Sequence, residues 1–191
     1  ASFAVAGAAA RTLPGFDQED SLPAFEKLRD MLKSSRRDPM FFVTATDGNH
    51  GRAVAWSARM LGAGAVVFMP KGAAAARVEA IRREGAEVIV TESNYDDAVR
   101  TAFKHATDNG GVIVQDTAWD GYNELPDMIM QGYLTMLSEI SEQLTEMGER
   151  IPSHVILQAG VGSFAGSMLA GLECLAGEAM PIAVIAEPAN A

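Results

Sequence analysis

The sequence predicts an α/β protein built as two lobes of parallel sheet flanked by helices. Three observations carry this. Between residues 41 and 115 four short apolar runs of strand length alternate with three longer stretches of helical periodicity. A second strand, glycine loop, helix and strand follow between 154 and 187. The segments that leave the strands are polar and rich in glycine, as they are at the ligand-binding edge of open α/β sheets.

The totals agree with such a fold and exclude several roles. At 191 residues, 48% hydrophobic and 21% charged, the chain buries a sizeable core in one or two small domains. A net charge of −10 with no basic stripe argues against nucleic-acid binding. No apolar stretch reaches the ~18 residues of a spanning helix, so no membrane role is expected. The one cysteine, Cys174, rules out an intrachain disulfide, suits a cytoplasmic setting, and reads as a small buried hydrophobe on an apolar helix. His50, His105 and His154 are too scattered for a zinc-type cluster, so no metal is expected. His105 reads as an exposed helix residue and His154 as a structural one.

In chain order, Ala1–Leu13 is small and apolar and reads as a helix ended by Leu13-Pro14-Gly15. Asp20 or Ser21 caps a second helix with Pro23 in its first turn. Phe25, Leu28 and Leu32 share its face, and Arg36-Arg37-Asp38-Pro39 ends it. Strand Phe41–Thr44 leads to helix Gly51–Leu61, strand Ala65–Met69 to a helix near Ala74–Glu84, and strand Glu87–Thr91 to a helix near Asn94–Thr107. Gly85 is a C-cap, and Ser93 or Asn94 an N-cap. Arg77, Arg82 and Arg83 read as a solvated helix face. Strand Val112–Gln115 completes a small parallel sheet with right-handed crossovers. Pro126 opens a long helix on which Ile129, Tyr133, Met136, Ile140 and Leu144 recur at helical spacing. Strand His154–Gln158, a helix to about Ala176 and strand Pro181–Glu187 follow. Residues 40–122 are expected to form the small lobe. Residues 1–39 and 123–191, the two flanks, are expected to contribute to a second, larger one.

Three loops carry the chemistry. Thr46-Asp47-Gly48-Asn49-His50-Gly51 sets a carboxylate, an amide and an imidazole between a strand and a helix N-terminus, where an anion is favoured. An ordinary capped turn would use the same residues. Gln115-Asp116-Thr117-Ala118-Trp119-Asp120-Gly121-Tyr122 leaves a strand predicted in the same sheet. Parallel strands then bring Asp47 and Asp116 to one edge, where they can handle protons or bind an ammonium group. Gly160-Val161-Gly162-Ser163-Phe164-Ala165-Gly166 lets backbone N–H groups converge on a phosphate, or simply packs a tight strand-to-helix turn. With Glu187 just over 20 residues on, a dinucleotide site is also open at this point.

The string Thr46–Trp56 resembles the asparagine loop of fold-type II pyridoxal-phosphate enzymes, usually Ser-x-Gly-Asn-His. With Asp47 in place of that serine, and with Gln115-Asp116-Thr117-Ala118-Trp119, it is similar to the diaminopropionate ammonia-lyase branch. Val67–Gly72, Asn94–Arg100, Ile129–Tyr133 and Gln158–Gly166 fall in the same order, so the likeness covers most of residues 40–191, with a weak match at Ser2–Arg11. The resemblance implies pyridoxal 5'-phosphate as cofactor. Its ring hydroxyl would meet Asn49, its phosphate would meet Gly160, Val161, Gly162 and Ser163, and His50 would contact the phosphate or stack on the cofactor. Asp47 and Asp116 would be the catalytic residues at a 2,3-diaminopropionate substrate, Asp47 as α-proton base and Asp116 orienting the ammonium. The implied reaction is α,β-elimination to pyruvate and two ammonia, in a cytoplasmic homodimer.

The family's Schiff-base lysine stands just before an Ala-rich helix, so it is expected a few residues ahead of Ala1. Lys27, Lys33, Lys71 and Lys104 lie in unmatched contexts. The sequence is therefore expected to be an internal piece, incomplete at both ends and inactive by itself. The alternatives are a serine or threonine dehydratase-like lyase, which would usually carry Ser at position 47, a non-catalytic module binding a phosphate ligand, and a nucleotide-binding oxidoreductase.

Overall fold

A nine-residue helix of small side chains, α1 (Ser2–Ala10), opens the chain, and every residue from Ala4 to Ala10 is buried. A helix that is apolar all round must be covered on most sides; α1 packs against α2 (Phe25–Ser35) and α3 (Asn49–Leu61). The computed structural model describes residues 1–17, 21–35 and 40–187. The expected cap Asp20, the expected stop Arg36-Arg37-Asp38-Pro39 and Pro188–Ala191 lie outside them. α2 begins later than expected. Its first bond runs from Leu28 N–H to Ala24 O, so neither Ser21 nor Pro23 is in its first turn. Leu28 and Leu32 are its buried pair, each stabilising by about 1.5–3 kcal/mol, and Phe25 packs on Trp56 of α3 at 5.7 Å between ring centres.

The first sheet is all parallel. β1 (Phe41–Ala45), β2 (Gly64–Met69), β3 (Glu87–Val90) and β4 (Val112–Ile113) stand in the order β3-β2-β1-β4. The near-continuous burial of β1 and β2 is that of strands covered on both faces. α3 covers one face. α5 (Tyr95–Asn109) covers the other through Ala98, Ala102 and Ala106, whose small side chains let it settle on Val43, Ala45, Val66 and Phe68. The α5 cap is Asn94, whose side chain accepts from Asp97 N–H at 2.9 Å. α4 (Ala75–Arg82) packs on α3 and β3. Its last helical turn ends at Arg83, with Gly85 beyond it. The chain steps outward from β1 to β3, then returns to set β4 on the other side of β1. The order therefore reverses between β1 and β4. The carboxyl ends at such a reversal form the crevice where α/β proteins bind ligands.

Beyond Gln115, α6 (Glu124–Met147) packs on α7 (Ser163–Ala176), with Leu137, Leu157, Ala159, Ala165, Met168 and Leu172 between helices and strand. α6 starts at Glu124, so Pro126 sits inside the first turn, where its missing N–H costs no bond. β5 (His154–Gln158) and β6 (Ile182–Ala186) pair in parallel. Cys174 is exposed rather than buried, and His105 is half-buried, its ring against Phe68 at 5.4 Å and Phe41 at 6.3 Å.

The chain divides into Ala1–Gln115 and Asp116–Ala191. That division differs from the lobes expected at 40–122 and at 1–39 with 123–191, because α1 and α2 pack on α3 of the first unit. Among the described residues no helix is long and apolar enough to cross a membrane.

Candidate active site

The loop after β1 is shaped by one hydroxyl. Thr46 Oγ1 accepts from Gly48 N–H at 3.0 Å and from Gly51 N–H at 3.2 Å, folding the chain back at the carboxyl end of the strand. Gly51 is required by the close approach of α3 to the sheet. A Cβ there would stand 2.3 Å from Thr46 Cγ2 and 2.9 Å from Val67 Cγ1. α3 starts at Asn49 behind Gly48, which has no side chain to cap it, so the Thr46 hydroxyl takes the first-turn N–H of Gly51. Asp47 and Asn49 are exposed. His50 is half-buried, and its Nε2 lies 2.8 Å from Val114 O. The imidazole thus ties the loop to the strand on the far side of the crevice.

Gln115 makes a second tie. Its side-chain oxygen accepts from Ala45 N–H at 3.0 Å and Thr44 Oγ1 at 3.1 Å, while Nε2 donates to Tyr95 OH at 2.9 Å. Sequence reasoning treated Gln115 as part of a motif and passed over Tyr95. The available signal was a polar Gln directly after the apolar run Val112-Ile113-Val114, and the structure buries it fully. Arg77, exposed as expected for a solvated helix face, also donates from Nη1 to Asp47 O at 3.1 Å. The four lysines are all exposed, Lys71 pairing with Glu92 at 3.2 Å and Lys104 with Asp108.

In the second unit, Asp116 is half-buried and is followed by a tight turn. Trp119 and Tyr122 exchange backbone hydrogen bonds across it, and their rings stack at 4.2 Å. The Thr117 hydroxyl is buried with no hydrogen-bond partner among the described residues. Tyr133 on α6 packs edge-on against Phe164 at 5.4 Å. Burial and, after it, the Asp116 carboxylate push the Tyr133 phenol above its ordinary pKa, so it is a protonated donor at neutral pH.

The glycine loop leads from β5 into the N-terminus of α7. Gly162 takes φ +87°, a left-handed conformation that other residues adopt at a cost, and turns the chain into α7. No side chain caps the helix, and a Cβ at Gly160 or Gly162 would meet nothing within 4 Å. Gly160, Val161 and Gly162 are exposed and Ser163 is half-buried. An open helix N-terminus with unobstructed backbone donors fits a phosphate. These residues therefore fit pyridoxal 5'-phosphate. Among the described residues no group of three or more His, Cys, Asp or Glu side chains is placed to hold a metal ion.

Comparison with known proteins agrees with this chemistry. The family described as "Pyridoxal-phosphate dependent enzyme" matches residues 22–191. The chain is 55% identical over 166 residues to the diaminopropionate ammonia-lyase of Salmonella typhimurium, covering 87% of this chain and 39% of that protein. It superposes on the crystal structure of Escherichia coli diaminopropionate ammonia lyase in apo form with a TM-score of 0.87 and 46% identity, over 98% of this chain and 49% of that one. For the same E. coli enzyme in complex with D-serine the values are 0.83 and 45%, over 97% of this chain and 47% of that one. The chain thus spans less than half the length of each of these relatives.

Proposed function

Because this chain belongs to the pyridoxal-phosphate dependent enzyme family, we propose that the complete protein eliminates ammonia from 2,3-diaminopropionate, yielding pyruvate and two ammonia. The observation that carries this reading is Asp47, an exposed carboxylate at the carboxyl end of β1 on a loop whose peptide is held at both ends. A serine or threonine dehydratase-like lyase would usually carry Ser at that position.

Pyridoxal 5'-phosphate, when bound, withdraws electrons from the substrate's α-carbon. The protein supplies the rest. Backbone N–H groups of Gly160, Val161, Gly162 and Ser163 hold the phosphate, with the α7 dipole adding positive potential. Asn49 would hydrogen-bond the ring hydroxyl, and His50, which braces its loop through Val114 O, would contact the phosphate or stack near the cofactor. Asp47 takes the α-proton, Asp116 orients the substrate ammonium, and the β-amino group leaves as ammonia. The released enamine hydrolyses to pyruvate and the second ammonia. The lone cysteine suits a cytoplasmic enzyme, and the family resemblance supports a homodimer acting in amino-acid catabolism. It also supports a larger lobe in the complete protein that joins 1–39 to 123–191.

The test is to assay the complete protein on D- and L-2,3-diaminopropionate, serine and threonine, with intact mass measured before and after borohydride reduction. The expected result is a pyridoxyl adduct and a diaminopropionate rate well above the hydroxy amino acids. Preference for serine or threonine would support the dehydratase reading, and absence of an adduct would support a non-catalytic phosphate-ligand module. With Asp47→Asn, unchanged elimination of both stereoisomers would remove Asp47 as the base.

A further inference from the structure

The Asp47–Gly48 peptide is gripped at both ends. Its N–H donates to Thr46 Oγ1 at 3.0 Å. Its C=O accepts from Arg77 Nη1 at 3.1 Å, across 30 residues of sequence. The Arg77 stem also lies on the loop: a Cβ on Gly48 would stand 3.2 Å from Arg77 Cδ. A rotation about this peptide would break both bonds and redirect the side chains on either side of it, Asp47 and Asn49. The neighbouring arginines of the same stretch behave differently. Arg83 pairs with Glu79 one turn back, as on a solvated face. Arg77 instead donates to the loop.

We propose that Arg77 is a positioning residue for the asparagine loop, fixing the plane of the Asp47–Gly48 peptide and through it the directions in which Asp47 and Asn49 are presented. The inference rests on the reading that this loop meets cofactor and substrate. A guanidinium suits the task because it is always charged and its planar fork places a donor at a fixed angle. The bond is exposed, so its contribution is modest, but it acts on the one peptide whose rotation misaims two site residues together.

The experiment compares Arg77→Met, which keeps the apolar stem and loses the donors, with Arg77→Lys, which keeps the charge and one possible bond. Two readouts are taken on the complete protein. In the cofactor-free form, amide hydrogen exchange at Gly48 should quicken roughly three- to tenfold in Arg77→Met, the worth of one net hydrogen bond. The amides of Phe42–Ala45 in β1 should keep their native protection, which separates a loop effect from a general loss of stability. In the holoenzyme, kcat on 2,3-diaminopropionate should fall by a similar factor with KM little changed, and Arg77→Lys should recover part of both losses. Gly48 exchange within about twofold of native in Arg77→Met would overturn the proposal, as would faster exchange with an unaltered kcat. If the native protein shows no elimination at all, the functional reading fails, while the exchange comparison still decides whether Arg77 holds the loop.

Discussion

The side-chain oxygen of Gln115 stands 3.0 Å from the backbone nitrogen of Ala45 and accepts its hydrogen, standing in for a main-chain carbonyl. β4 pairs over only Val112–Ile113 where a strand to Gln115 was expected; one more backbone bond, from Val114 N–H to Val43 O at 2.8 Å, precedes this side-chain bond. The sheet continues past β4 through a side chain. Gln115→Ala would leave the buried Ala45 N–H without this acceptor and remove the Tyr95 bond, so the variant should unfold with about 2–3 kcal/mol less stability. Urea denaturation would measure it. Gln115→Leu, which fills the space, should lose nearly as much if the acceptor is what matters.

Gly51→Ala should be destabilising for a different reason. Its methyl would overlap Thr46 Cγ2, and Thr46 cannot turn away without giving up its bonds to Gly48 and Gly51. A loss of about 2–3 kcal/mol is expected, as for overpacked sites. Thr46→Ser deletes the clashing methyl and keeps the oxygen. The double variant should therefore recover part of the loss, leaving the Val67 overlap, in a double-mutant cycle of melting curves.

The pH dependence of stability has one identified contributor near the loop. Glu84 receives Arg59 Nη2 at 2.9 Å and Arg52 Nε at 3.3 Å. The Arg59 hydrogen bond is the main reason its carboxyl sits below the ordinary value; desolvation opposes it and Arg52 assists. A pKa lower in the folded state than in the unfolded one stabilises above the unfolded value, and that stabilisation is lost as pH falls through the folded value. Glu84→Gln should thus melt below the native protein at neutral pH, and the two melting curves should converge in acid. A gap that persists unchanged to low pH would show that packing, and not charge, joins α4 to α3.

Gly162 carries the prediction for the phosphate loop. Alanine at φ +87° is strained by about 1–2 kcal/mol, although its methyl meets no neighbour. Relief of that strain would shift the backbone donors. In the complete protein, Gly162→Ala is expected to weaken cofactor binding on the order of tenfold, read by absorbance titration. Gly148→Ala, which imposes a similar positive-φ strain at the end of α6, serves as the control.

Sequence reasoning succeeded where a signal was local. The apolar runs at Phe41, Ala65 and Glu87, punctuated by glycine and asparagine, placed strands and helices within a few residues of where they stand. The asparagine loop and the Gly160–Ser163 turn were ambiguous by composition and stood out only through their resemblance to family motifs. What stayed hidden depends on partners distant in the chain. Arg77 looks like any helix-face arginine until α4 is laid over the loop, and His50 shows its tie to Val114 O only once β4 is beside β1. Helix α1 could not be assigned to a lobe from its own alanines, since an all-apolar helix does not say which surface it covers.

The grip on the Asp47–Gly48 peptide also bears on how the chain ages. An aspartate followed by glycine is prone to cyclise, the glycine amide nitrogen attacking the aspartate side-chain carboxyl carbon to form a succinimide that reopens partly as isoaspartate. Here that nitrogen is engaged with Thr46 Oγ1 and the adjoining carbonyl with Arg77, so the peptide is restrained from the rotation that cyclisation requires. The loop's architecture therefore confers chemical longevity on its carboxylate, and isoaspartate should accumulate at position 47 sooner in stored Thr46→Val protein than in the native chain.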